Sequence, residues 1–344
     1  MKHLAYTADA VPVAEQVEAG GGVAGAARFS ASEAGVLVYR GGLNERRLTW
    51  FDRTGKRSAT VGDNGAVSQV SLSPDGKTVA VAAVEASSTN PDLWLYDVLR
   101  GTRARFTSDP AFDAAPVWSP DGRTIVFRSL RGTPGDLYRK PADGSRKEEL
   151  LYSNDHAKVP ANFSPDGKLL AFFEQDPRTG FDIWILPDPL GTSGSPKPYL
   201  FLQTEFNETN PRFSPDGHWI AYLSNESGRT EIYVAPFPGP GGKRQVSTAG
   251  ATTAAGTGNI AIPRWRQDGK ELFYTAPDGR LMSAEIDTRG GVLEVKKVEP
   301  LFGPITGGFD VSADGQRFLV AATPEGDVGQ PLTVIQNWLA ILKK

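Results

Sequence analysis

Two arginines of this chain stand in the same local setting, Pro211-Arg212-Phe213 and Pro263-Arg264-Trp265. A converging guanidinium pair would hold carboxylates or phosphates through forked hydrogen bonds. If side chains alternate along a strand, each arginine points away from the aromatic that follows it, toward a central channel or an adjoining sheet. Other chemistry is thinly supplied. There are three histidines: His3, His156 in the loop Asn154-Asp155-His156-Ala157-Lys158, and His218 just after a turn glycine. A single histidine without a second ligand is a poor basis for a metal, so no metal site and no cofactor is expected. No Gly-x-Ser-x-Gly nucleophile elbow occurs; the nearest strings, Gly191-Thr192-Ser193-Gly194 and Asn225-Glu226-Ser227-Gly228, read as turns. The chain has no cysteine, which removes thiol chemistry and disulfides. The legible chemistry is that of binding rather than turnover, and no enzyme is expected.

The elements that would position these residues come from a repeated turn. Ser-Pro-Asp-Gly occurs at Ser73 to Gly76, Ser119 to Gly122, Ser164 to Gly167 and Ser214 to Gly217. Weaker copies are Arg266-Gln267-Asp268-Gly269 and Ser312-Ala313-Asp314-Gly315, with a degenerate first copy at Ser32-Glu33-Ala34-Gly35. Proline presets φ at the second turn position, Asp bonds neighbouring amides, and Gly takes the left-handed conformation, so each cassette predicts a hairpin tip. The cassette aspartates are turn residues on this reading, not calcium ligands, because calcium loops gather several oxygens within about a dozen residues. A third strand per repeat begins with an acid, as at Asp92-Leu93-Trp94, Asp136-Leu137-Tyr138 and Asp182-Ile183-Trp184. These acids are expected to bond local backbone.

The cassette glycines are spaced 41, 46, 45, 50, 52 and 46 residues apart. That period, flanked by alternating apolar runs, predicts an all-β, seven-bladed β-propeller of four-stranded antiparallel blades, with a six-bladed ring as the alternative. Strands Arg317 to Thr323 and Leu332 to Trp338 follow the last cassette, and the run Val11 to Val17 would complete that blade. The ring would then close by an N-terminal strand joining the C-terminal blade, making residues 1–344 one domain. Starting in mid-blade, the chain reads as a domain cut from something longer. With 38 Gly, 26 Pro and 10% aromatics, composition suits short strands and turns. A net charge of −3 with scattered basic residues argues against nucleic acid as the partner. No run approaches 18 apolar residues, so no membrane insertion of this segment is expected.

These hairpins and Asp-Leu-Trp or Asp-Ile-Trp strands resemble the TolB-like, WD-repeat-like β-propeller family over nearly the whole chain. More narrowly, Leu48 to Gly55, Phe201 to Glu208, Phe237 to Lys243, Arg264 to Tyr274 and Leu332 to Trp338 resemble the C-terminal propellers of bacterial, acidobacterial-type serine/threonine protein kinases. That resemblance implies a periplasmic or extracytoplasmic sensor or interaction domain. The kinase's own motifs are absent from these residues. Propellers of this type also accompany peptidase domains, and others act as hydrolases or lyases through a metal or carboxylates in the channel; these are the alternative readings.

In such a ring, the loops entering the innermost strands gather at the channel mouth. The candidate ligand-binding residues there are Asp113, His156, Asn162, Glu208, Asn210, Arg212 and Arg264, with Phe112 and Phe206 as apolar surfaces. The expected partner of a monomeric domain is a peptide, a protein or a small envelope-derived ligand. The segment Gly250 to Gly258 reads as a flexible insertion that could cover the mouth.

Overall fold

Residues 29–32, 34–40, 45–85, 88, 90–132, 134–191, 197–239, 241–251, 262–325 and 332–338 are described by a computed structural model. The chain groups into two compact units, Met1–Asn44 with Glu325–Lys344, and Glu45–Pro324.

In the larger unit every described cassette is a hairpin tip. At the first, Gly76 N–H donates to Ser73 O (2.8 Å) with Gly76 at φ +69°. Ser73 Oγ donates to Asp75 Oδ1 (2.6 Å), and that same oxygen accepts from Lys77 N–H (3.1 Å). Nothing lies within 4 Å of a Cβ built on Gly76, so the backbone conformation, not space, demands glycine there. The serine hydroxyl, and after it the amide, holds the carboxyls of Asp75, Asp121, Asp166 and Asp314 below their usual range. At Arg266 to Gly269 the missing serine is replaced by Arg266 Nε donating to Asp268 Oδ1 (2.7 Å).

Each hairpin belongs to a four-stranded antiparallel group. The second to fifth groups begin with the inner strands Asp113–Trp118, Lys158–Phe163, Glu208–Phe213 and Arg264–Trp265. The first and sixth share one seven-stranded sheet, because the 16-residue strand Arg57–Leu72 serves both. Its residues 57–65 pair with Arg46–Asp52 as the outer edge of the sixth group, and 66–72 pair with Thr78–Val84 as the inner strand of the first.

Burial confirms the ring order. Six apolar clusters exist among the described residues, one at each boundary between successive groups. Leu48, Trp50 and Leu319 of the sixth group pack with Val70, Val81 and Trp94 of the first, which closes the circle. Inner strands are also tied laterally: Trp118 Nε1–H donates to Ser71 O (2.9 Å) and Trp265 Nε1–H to Arg212 O (3.2 Å).

Among the described residues six four-stranded groups form the ring, the count held as the alternative to seven. An N-terminal stretch does join the C-terminal strands, but the strand beside Arg317–Ala322 is Arg46–Asp52, in register Leu319↔Trp50, leaving no free edge there for Leu332 to Trp338. Leu332–Gln336 instead pairs with Val36–Arg40, which also pairs with Phe29–Ala31, giving the three-stranded sheet of the smaller unit. The degenerate cassette at Ser32 to Gly35 joins the first two strands of that sheet. The expected closing run 11–17 lies outside the described residues.

Among the buried groups that have no hydrogen-bond partner in the described residues is the Tyr222 hydroxyl, on a side chain wholly removed from solvent. Desolvation drives its pKa far upward. Tyr222→Phe should leave stability unchanged or raise it by about 1 kcal/mol, because it removes an unsatisfied donor and keeps the ring. Chemical denaturation of the two proteins checks this; a loss of more than about 1 kcal/mol would show that the hydroxyl is satisfied.

Candidate functional site

The residue two positions before each cassette occupies one repeated register on the inner strands: Ser71, Val117, Asn162, Arg212, Arg264 and Asp310. The expected alternation holds at the two arginines, for Phe213 enters the apolar cluster between the third and fourth groups while Arg212 does not. Arg264, on the fifth group, donates from Nη2 to Val70 O of the first group (2.9 Å) and from Nε to Phe309 O of the sixth (3.4 Å). A side chain that reaches past its neighbour to the next group lies across the middle of the ring, so this register faces the channel.

Charge at this level is unevenly balanced. Asp310 Oδ1 pairs with Arg264 Nε (3.2 Å), and its Oδ2 accepts Leu72 N–H (2.9 Å). Among the described residues Arg212 has no carboxylate partner within ion-pair distance. Its Nη1 donates to Ala161 O of the preceding group, and its buried Nε has no hydrogen-bond partner among the described residues. Burial, and then the charge of Arg264, push the Arg212 pKa well below its ordinary value, with Asp310 opposing. Two guanidiniums share one carboxylate here, a local excess of positive charge in a desolvated place. Such a site favours an anion.

The nine residues expected at the mouth separate by level. Asn162, Arg212 and Arg264 sit at the channel register, although Asn162 Oδ1 is engaged by Phe213 N–H (2.9 Å), a tie between groups. Asn210 is a bulge residue at φ +53°, like Gln69 and Ala115 in other groups. Phe112 packs against the cluster between the first two groups, and Phe206 is half-buried in its loop. His156 Nδ1 lies 3.1 Å from Glu174 Oε1, a carboxylate also bonded by Asn154 (2.9 Å). Asp113 and Glu208 start their inner strands and are completely buried, so neither is presented to a ligand at the channel mouth. Arg131 holds Asp113 Oδ2 (3.0 Å), yet burial dominates and raises the Asp113 pKa. Residues 252–258 of the insertion expected over the mouth lie outside the described residues, although Gly250 N–H is fixed to buried Glu231 (2.9 Å).

Sequence reasoning missed how the acids that open the third strands are used. Instead of bonding local backbone, Asp92 pairs with Arg105, Asp136 with Lys158 of the next group (2.9 Å), and Asp182 accepts from Thr179 Oγ1 (2.7 Å) and Gln203 Nε2 (2.9 Å). Asp310 was visible on an inner strand, and its place two residues before a cassette was the signal that sets it beside Arg264.

A closed ring of four-stranded antiparallel groups with a polar, cationic channel defines a β-propeller, and the comparisons with known proteins agree. Residues 51–186 match the model of the TolB beta propeller domain family. The Tol-Pal system protein TolB of Wolinella succinogenes is 25% identical over 201 residues, 56% of this chain and 46% of that protein. An uncharacterized peptidase of Bacillus subtilis, YuxL, is 26% identical over 208 residues, 49% of this chain and 32% of its own. The aligned regions thus span between a third and a half of these relatives' length. A solved TolB structure from Agrobacterium tumefaciens superposes with a TM-score of 0.60 at 18% identity, covering 80% of this chain and 97% of the other. The chain carries a β-propeller whose residues 51–186 are TolB-like.

Proposed function

We propose that this propeller is a non-catalytic binding domain whose channel takes the carboxylate or phosphate group of a peptide, a protein or a small envelope-derived molecule. The observation that carries this reading is the uncompensated Arg212, whose Nε is left without a protein acceptor beside Arg264. A forked guanidinium contact would satisfy that donor and neutralise the excess charge. The TolB-like fold supports protein or peptide recognition. The resemblance to kinase-linked propellers supports an extracytoplasmic sensor or interaction domain within a larger receptor kinase-like protein.

The test begins with capture from an envelope extract of the source organism, followed by calorimetric titration of the captured ligand in free-acid and amidated or dephosphorylated forms. Arg212→Gln should weaken the free acid roughly tenfold to a hundredfold, the range for a lost hydrogen bond to a charged group, and leave the neutral form unchanged. Equal affinity of the variant and the parent for the free acid would place the interface elsewhere on the propeller. Arg264 is the poorer choice for this experiment, because it also ties the first and sixth groups together.

A further inference from the structure

Between the second and third groups the acid opening a third strand meets the first residue of the next inner strand as a buried ion pair. Lys158 Nζ, with no exposure, donates to Asp136 Oδ1 (2.9 Å), Gly135 O (3.2 Å) and Asn154 O (3.4 Å). One boundary further on, the same two places are held by Asp182 and Glu208, both completely buried. An ammonium has been exchanged for a second carboxyl.

Each carboxyl there is satisfied on one side only. Asp182 Oδ2 takes Thr179 and Gln203, while Glu208 Oε1 takes Thr204 Oγ1 (2.6 Å) and Ser224 Oγ (3.4 Å). Asp182 Oδ1 and Glu208 Oε2 have no hydrogen-bond partner among the described residues. Burial, and after it the charge of Asp182, raise the Glu208 pKa, and no basic side chain stands among the causes to offset them. Two bare, buried carboxyl oxygens at a place filled by a cation in the adjacent repeat are costly unless a cation or a proton compensates them.

We propose that the boundary between the third and fourth groups binds a hard divalent cation of the calcium class through Asp182 Oδ1 and Glu208 Oε2, doing there what the Lys158 ammonium does one boundary earlier. All donors at hand are oxygens, and two carboxylates match a double charge. The carbonyls of Phe181 and Thr204 hold the repeat positions of Gly135 and Asn154, the carbonyls that accept from Lys158. The cation would be a structural clamp between groups, independent of the channel.

The probe is Ca²⁺ added to the chelator-treated protein, with Mg²⁺ and K⁺ as comparisons, read by thermal unfolding and by calorimetric titration. With only two protein carboxylates, a Kd of about 10⁻⁴–10⁻³ M is expected, as in weak extracellular calcium modules. At roughly a hundred times that Kd the Tm should rise by about 5 °C. Glu208→Gln should cut that shift by more than half. Glu208→Lys, which copies Lys158, should abolish it while leaving the chelated protein at least as stable as the parent. A parent Tm that ignores Ca²⁺, or a shift that survives in both variants, overturns the proposal. So does a chelated protein that is indifferent to Ca²⁺ and simply loses stability as pH rises through the raised Glu208 pKa. The pair would then share a proton, since a carboxyl with an elevated folded pKa stabilises below its ordinary value, 4.5, and loses that contribution as it ionises.

Discussion

Lys158→Met is expected to lower the free energy of unfolding by about 3–5 kcal/mol, the cost of removing one partner from a buried ion pair. The Lys158 side chain is fully buried, and its ammonium is bonded to Asp136, Gly135 O and Asn154 O. Methionine fills a similar volume, so packing changes little, but Asp136 loses its counter-charge and two carbonyls lose a donor. Adding Asp136→Asn to Lys158→Met should recover a large part of the loss, because an amide costs far less to bury than a carboxylate. Urea denaturation of the four proteins of this cycle measures the coupling directly. A loss under about 1 kcal/mol in the single variant would mean that the ammonium is solvated and the pair worth no more than a surface salt bridge.

The second large effect concerns ring closure. Phe318→Ala should destabilise the larger unit by about 3–5 kcal/mol, the range for a buried phenylalanine truncated to alanine. Phe318 is fully buried, stands edge-on to Phe273 of the fifth group at 5.1 Å and to Phe302 at 5.7 Å, and packs with Phe51. It therefore joins the last cassette strand to a neighbouring group and to Arg46–Asp52, the strand that completes its own sheet. Val334, on the strand expected to follow Arg317 to Thr323 in that blade, is 55% exposed. Val334→Ala should change the denaturation midpoint by no more than a typical surface substitution, within about 0.5 kcal/mol. Equal sensitivity at both positions would contradict the register found here. The comparison reads closure itself, because both residues lie C-terminal to the last cassette and only Phe318 lies on the strand paired with Arg46–Asp52.

Much of the site's geometry followed from local chemistry. The cassette is a self-contained turn whose Ser, Asp and Gly each satisfy a backbone requirement within five residues, so its position could be read without knowing any partner. Once the hairpin tips were placed, counting back two residues put Arg212 and Arg264 on the face opposite Phe213 and Trp265, toward the channel or an adjoining sheet, because alternation along a strand has a strict period of two; the reach of Arg264 to Val70 O decides for the channel. The aspartates of the third strands were read less well. Their place at strand starts was legible, but their partners, such as Lys158 for Asp136, come from the next group in the ring.

The chain's own order of residues thus determined the repeat, the hairpins, the strand faces and the arginine register, all of which depend on interactions spanning a few residues. Closure, blade count and charge balance in the channel were decided by the assembled fold. Runs 11–17, 46–52 and 332–338 all read as strands, and local pattern does not distinguish which of them pairs with Arg317–Ala322. Burial of Leu48 and Trp50 against the first group does. Likewise, Arg264 finds Val70 O 194 residues away, and Asp182 meets Glu208 where the neighbouring repeat has a lysine. Such pairings depend on which surfaces the ring brings together, and a strand's sequence encodes its faces but not its neighbours.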